Sequence, residues 1–492
     1  MFASTTAAAL AALALVAQDA TPLRAAPRDS AVQQAQLTAG DLLEVRGERL
    51  DHLQVYDHRR ERAGYVKASQ VRLTNASAAD APALLAVLRF VQDSPGQEAL
   101  GVGYAAAYLK AVPPADLTAE PFDALGRMAD RLARRASARS GNAAPEPRLA
   151  AQLEGVAAYG VRLLSLEQDG AVRLCYDGEA WRRVLALPSA TPEQRARAVL
   201  GLSRPDCVDP TLPPHQREAH DRWRADLLQR LGEAERAALP GPWQNRLQLR
   251  RAGVQAALAF AQARRGEPAQ AAGQQAVLAL AAVDKAALTD DDQAEWADAA
   301  IRVGASRWAA EAPVLPAPLA SGSGDRPRLQ LSAGQPGETC VTLLAPAPKG
   351  HAAAPAPLLQ RCTWGVAWAA SASINSAGTA VALAVQPLAT WREVWLMQRS
   401  PEGWTLAVLP PAAGNPLGAD LGYVEFAGWV PEGAPRLLLA REARVDGRLT
   451  RRFEVTHLAD GSLDKQASTP QLLAMFQRWR DPAWQRQTVA LR

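Results

Sequence analysis

The residues able to do chemistry are few and widely spaced. Histidine occurs six times, as His52, His58, His215, His220, His351 and His457. His215 and His220 stand i,i+5, whereas a helical metal pair needs i,i+4 to share one face, and no H-E-x-x-H is present. Ser462-Leu463-Asp464-Lys465 matches the S-x-x-K pattern of serine acylases, which brings Ser and Lys together at a helix start. Here it follows the turn residues Ala459-Asp460-Gly461, so it reads as a hairpin. Leu100-Gly101-Val102-Gly103-Tyr104-Ala105-Ala106 is a degenerate dinucleotide fingerprint. It has no preceding strand and no acidic residue placed for a ribose, so it reads as helix packing. Neither a phosphate-binding loop nor a G-x-S-x-G elbow occurs. The expectation is a chain that is not an enzyme, with no catalytic residue, no metal and no cofactor.

The four cysteines are Cys175, Cys207, Cys340 and Cys362. They fall as two local pairs, none in a C-x-x-C and none beside a histidine. Zinc would need C-x2-4-C spacing. Two disulfides, Cys175–Cys207 and Cys340–Cys362, are expected, each contributing on the order of 3 kcal/mol by closing a local loop.

That pairing implies an oxidising compartment, and the N-terminus points the same way. Ala7–Ala17 is an uncharged apolar run, too short to span a bilayer but suited to a signal-peptide h-region, with small residues near Ala17 and Ala20. Residues 1–20 therefore read as a signal peptide, although no Lys or Arg precedes the run. No later stretch predicts a transmembrane anchor, and the expected location is periplasmic or secreted. The formal charge of +4 over 492 residues is too dilute for a nucleic-acid binder. The cations are nearly all Arg, which with the Ala content fits a GC-rich bacterial genome. Arg131, Arg134 and Arg135 lie opposite Leu125, Met128 and Leu132 on one helix and read as a solvated face.

The elements that would position any site fall into three kinds. Residues 21–74 carry short alternating strands, Leu42–Arg46 and Leu53–Tyr56 among them, with a charged turn at His58–Arg62 before Ala63–Val66. The order Pro22–Pro27, Ala39-Gly40-Asp41, Leu42–Glu48, His52–Tyr56 and Gly64-Tyr65-Val66-Lys67-Ala68-Ser69 resembles the bacterial SH3-like (SH3b) family. That resemblance implies a small SH3-like β-barrel and a groove that binds peptidoglycan or a peptide. The groove would involve Leu53, Tyr56 and Tyr65. Leu53 and Tyr65 stand where the family usually has Trp.

Residues 80–310 read as helical, with starts at Asp80-Ala81-Pro82, Thr191-Pro192-Glu193-Gln194 and Thr289-Asp290-Asp291-Asp292. Leu247–Arg264 and Pro268–Val283, joined at Gly266, make a helical hairpin of tetratricopeptide-like, solenoid-like kind. Residues 311–327 are a Pro/Gly/Ser linker. Over 328–470 the period becomes two, and eight of the 13 Trp lie between Trp364 and Trp484. This predicts an antiparallel β domain. Thr363–Pro411 and Gly422–Thr469 resemble two propeller blades, and a sandwich is the alternative. Residues 471–492 form a closing helix and tail. The predicted class is multi-domain α+β. The function this order suggests is a non-catalytic, exported cell-envelope binding or scaffold protein for an envelope protein, a peptide or peptidoglycan. A peptidoglycan-modifying enzyme or its regulator is the alternative.

Overall fold

The computed structural model describes residues 12–137, 146–168, 170–311, 326–346, 355–415, 417 and 420–487. The chain divides into two compact units, Met1–Pro210 and Thr211–Arg492. The division falls inside the 80–310 segment that was expected to be one helical domain. The class is multi-domain α+β, with an antiparallel sheet, a helical middle and a second antiparallel sheet.

The first unit opens with β1 (Leu13–Val16), β2 (Thr21–Arg24), β3 (Gln33–Leu37), β4 (Leu42–Arg49), β5 (His52–Asp57), β6 (Arg62–Lys67) and β7 (Val71–Thr74). They pair antiparallel in the order β3-β2-β6-β5-β4-β1-β7. All seven strands send side chains to one core, from Ala14 and Val16 through Leu23, Leu37, Leu43, Leu53, Val55 and Val66 to Val71. The closed barrel expected for this module is not formed. The sheet curls over its core, but β3 and β7 remain edges, and β2 meets β6 through a single pair, Arg24 and Tyr65.

The sequence reading places a leader at 1–20 before a module at 21–74. β1 lies inside that leader, paired on both sides, by β4 and by β7. Ala14 and Val16 enter the core of the sheet, while Leu15 enters a separate core with the following helices. Cleavage after Ala17 or Ala20 would remove this strand. A strand covered on both faces loses its polar alternation, which is why Leu13–Val16 reads in sequence like part of an h-region. Residues 7–11 of the apolar run lie outside the described residues.

Helices α1 (Ala81–Val91), α2 (Glu98–Ala111), α3 (Glu120–Ser137) and α4 (Pro147–Ala157) follow, then a hairpin of β8 (Leu163–Gln168) and β9 (Ala171–Tyr176), then α5 (Glu179–Ala186) and α6 (Pro192–Leu202). The hairpin interrupts the expected run of helices. α6 starts with a full capping box, Thr191 and Gln194 exchanging hydrogen bonds. Leu88, Val102, Tyr108, Met128 and Leu132 build the helical core that receives Leu15. Gly40, at φ +98°, lets its turn lie on α2 at Gly103, where any Cβ would strike the Gly40 backbone. The fingerprint-like Gly101 and Gly103 therefore serve packing.

The second unit begins with α7 (Pro214–Gln229), α8 (Glu233–Ala237), α9 (Gly241–Arg264), α10 (Gln270–Ala281) and α11 (Asp290–Ser306). Leu249, Ala252 and Ala256 of α9 pack with Ala276 and Leu280 of α10 and Ala300 and Val303 of α11. A three-stranded sheet follows, β10 (Arg328–Ala333), β11 (Thr339–Leu344) and β12 (Pro357–Thr363). Then come β13 (Val366–Ala367), β14 (Ser373–Ile374), β15 (Ala380–Leu388), β16 (Trp391–Ser400), β17 (Gly403–Leu409), β18 (Leu421–Val430), β19 (Arg436–Val445), β20 (Arg448–His457) and β21 (Leu463–Ala467). Two short helices, α12 (Ala474–Trp479) and α13 (Pro482–Gln487), follow the sheet.

The two stretches expected as blades are meanders within one nine-stranded sheet. A short parallel contact, Trp391 with Gly422 and Arg392 with Tyr423, joins them. The three-stranded sheet covers the first meander, Leu329, Val341 and Leu343 packing on Val381, Leu383, Trp395 and Met397. The second meander is covered by helices, Ile301 and Ala305 of α11 and Phe476 of α12 packing on Tyr423, Leu438 and Phe453. Residues 312–325, most of the expected linker, lie outside the described residues. The helix before them and the strands after them share a core and fall in one compact unit.

Candidate functional site

The outer face of the first sheet carries its half-exposed aromatics. On β5 the residues alternate, so Gln54 and Tyr56 point away from the core that Leu53 and Val55 enter. Tyr65 of β6 pairs with Gln54 and shares that outer face. Of the three expected groove residues, Tyr56 and Tyr65 therefore stand on one face of neighbouring strands, diagonal to each other in the ladder. Leu53 does not join them: it is 2% exposed and lies on the opposite face. A leucine on a strand with one covered face is drawn inward by burial of its side chain, which contributes about 1.5–3 kcal/mol.

Tyr56 is held in a charged frame. A β-bulge at Arg46 shifts the β4–β5 register between Val45 and Gly47. The Arg46 guanidinium stands 4.0 Å above the Tyr56 ring, and the His58 ring meets it edge-on at 4.9 Å. Glu44, opposite Tyr56 in the ladder, accepts from Arg46 Nε at 3.2 Å and from His58 Nε2 at 2.7 Å. The Arg46 bond first, and the His58 bond second, hold the Glu44 carboxyl below the usual carboxylate range. At the far end of the face, Lys67 Nζ bonds Asp29 at 2.8 Å, and His52 Nδ1 bonds Asp51 at 2.7 Å. The face thus offers aromatic edges and rings with charged, hydrogen-bonding groups at its ends.

The sheet is fixed to its helices by polar ties. Asp19 accepts from Ala39 N at 3.0 Å, from Arg148 Nε at 2.6 Å and from Gln152 Nε2 at 3.0 Å. Tyr159 donates its hydroxyl to the Gly40 carbonyl at 2.6 Å, and burial raises its pKa. Arg131 and Arg135, expected on a solvated face, converge instead on buried Glu98, at 2.6 and 2.7 Å. Their side chains reach back across α2, which spacing along α3 alone does not reveal.

Both expected disulfides are present. Cys175 of β9 joins Cys207, beside Asp206. Burial opposes ionisation of Asp206, yet Arg204 and then Arg173 hold its carboxyl well below the usual range. Cys340 and Cys362 are cross-strand partners on β11 and β12. Glu338 lies beside that second pair, but both sulfurs are in the bridge, which leaves no thiolate for a metal.

The remaining sequence candidates stay apart from any site. His220 is half-buried, tilted against Trp223 at 5.3 Å, and burial lowers its pKa, while His215 is exposed. Ser462 lies in the turn between β20 and β21, its amide donating to Asp460, and Lys465 is an exposed residue of β21. His351 lies outside the described residues.

What sequence reasoning missed is a buried ionic cluster in the second unit. Arg307, just after α11, binds Glu425 of β18 at two points, 2.5 and 2.8 Å. Arg392 of β16 approaches the same carboxylate at 2.5 Å. Burial opposes ionisation of Glu425, but the Arg307 and Arg392 charges keep it below the usual range. Beside it Tyr423 donates to Glu442 at 2.8 Å, and Glu442 also accepts from Arg451. Ion pairs from Arg250 to Glu295 and from Arg444 to Asp298 tie α11 to α9 and to β19. The only local hint is polar residues inside otherwise apolar strands. Among the described residues no helix is long and apolar enough to cross a membrane. Comparison of the chain with protein-family models, with curated proteins and with solved structures gave no match.

Proposed function

We propose that the chain is a non-catalytic, exported bacterial envelope protein that binds an extended ligand, a peptide or peptidoglycan, across the Tyr56–Tyr65 face. The observation that carries this reading is the framed tyrosine: Tyr56 under Arg46, edge-on to His58, and on one face with Gln54 and Tyr65. Both rings offer contact area at low entropic cost, and Arg46, Glu44 and Lys67 supply charge at the rim. The SH3b-like order of this module supports a cell-wall or peptide ligand. Two disulfides support a periplasmic or secreted location.

The test is co-sedimentation of the purified chain with peptidoglycan sacculi, beside cross-linking in envelope extract. Retention by sacculi or capture of one recurrent partner is expected, lost in Tyr56→Ala/Tyr65→Ala protein that melts as the parent does. No retention and no partner would sink the reading. Release of soluble wall fragments by the pure chain would replace it with a peptidoglycan-modifying enzyme.

A further inference from the structure

Arg392 carries an imbalance that its surroundings leave open. It sits in β16 opposite Tyr423, with 0% exposure. Its Nη2 faces Glu425, but Arg307 already occupies both oxygens of that carboxylate. Among the described residues Arg392 Nε, Nη1 and Nη2 all lack a hydrogen bond, Nη2 meeting Glu425 only as an ion pair. The Tyr423 ring lies 5.3 Å from the guanidinium and its hydroxyl is committed to Glu442. Among the described residues these ion pairs join three guanidinium groups, Arg307, Arg392 and Arg451, to two carboxylates, Glu425 and Glu442. These pairs leave one positive charge over, at a wholly buried side chain with unused donors.

A guanidinium keeps its proton in a protein, so the charge cannot be shed by deprotonation. A buried, uncompensated charge with unmet donors costs several kcal/mol. A water molecule would satisfy the donors and leave the charge. A multivalent oxyanion would overcompensate it. A halide carries one negative charge, accepts several N–H groups without directional demand and has no proton to place.

We propose that Arg392 Nε and Nη1 bind a small monovalent anion of the halide class, which completes the ionic core of the second unit. The full chain, exchanged into gluconate buffer, is melted against chloride at constant ionic strength. A saturable rise of at least about 3 °C is expected in the transition of the second unit. The rise should vanish in Arg392→Gln. Crystals of the unaltered chain soaked in bromide supply a readout independent of whether that variant folds, with anomalous density expected within hydrogen-bonding distance of Nε and Nη1. A melt flat in chloride, or bromide density absent from Arg392, would overturn the proposal.

Discussion

Arg307 and Glu425 form a two-point ion pair at side-chain exposures of 5% and 2%, and it joins the end of α11 to β18. Removing one partner of such a pair leaves a buried charge without compensation, at a cost of about 3–5 kcal/mol. Glu425→Gln is the severe case, because it strands both Arg307 and Arg392. We expect the second unit to unfold at markedly lower urea in this variant, followed by tryptophan fluorescence.

Gly103→Ala tests the seat of the first sheet on α2. The new Cβ would meet the Gly40 backbone, which has no flexible end to swing away. Overpacking of this kind costs about 1–3 kcal/mol. The first unit should melt lower while the second is unchanged, and an unshifted calorimetric trace would show that the turn can give way.

The acid response of the first unit should change in Asp206→Asn. The Asp206 carboxyl is held below its ordinary value, so the folded chain keeps it ionised where the unfolded chain takes up a proton. Its stabilisation is complete above the unfolded value of about 3.9 and is lost as pH falls through the folded one. The variant should trail the parent most at neutral pH, and the gap should narrow below about pH 4. Urea melts at the two ends of that window decide it.

A chain begun at Thr21 lacks β1, and with it Ala14, Leu15 and Val16 from two cores. Loss of three buried apolar side chains and of the strand that joins β7 to β4 should abolish cooperative melting of the first unit. A truncated chain that melts like the full one would show that the first unit folds without β1.

How much of this was legible in sequence depends on how local the cause is. The disulfides were legible because each pair lies near itself in the chain and no alternative chemistry fits the spacing. Helix starts such as Thr191 were legible because a cap and its partner are three residues apart. β1 was not, since burial on both faces erases the alternation that marks a strand. Leu53 was assigned by its place in a family pattern, while its side chain follows strand parity into the core. Arg131 and Arg135 read as solvated because Glu98 lies on another helix. The Arg307–Glu425–Arg392 cluster joins positions far apart in sequence, and no window contains it.

Replacing Cys175 and Cys207 together by Ser should destabilise the first unit by about 3 kcal/mol, as the loop-entropy model gives for a closed loop of this order. Alkylation of the native chain should label no thiol before reduction and four after it, since neither bridge leaves a free cysteine among the described residues.

The Cys340–Cys362 bridge closes a ring of chain around the Ala- and Pro-rich stretch from Ala345 to Pro357. A protease that nicks this stretch opens the ring without parting the protein. The cut chain would migrate as a single species on a non-reducing gel and as two fragments once the bridge is reduced. The β11–β12 ladder would keep its cross-link throughout, so the molecule can survive scission there as one covalent piece.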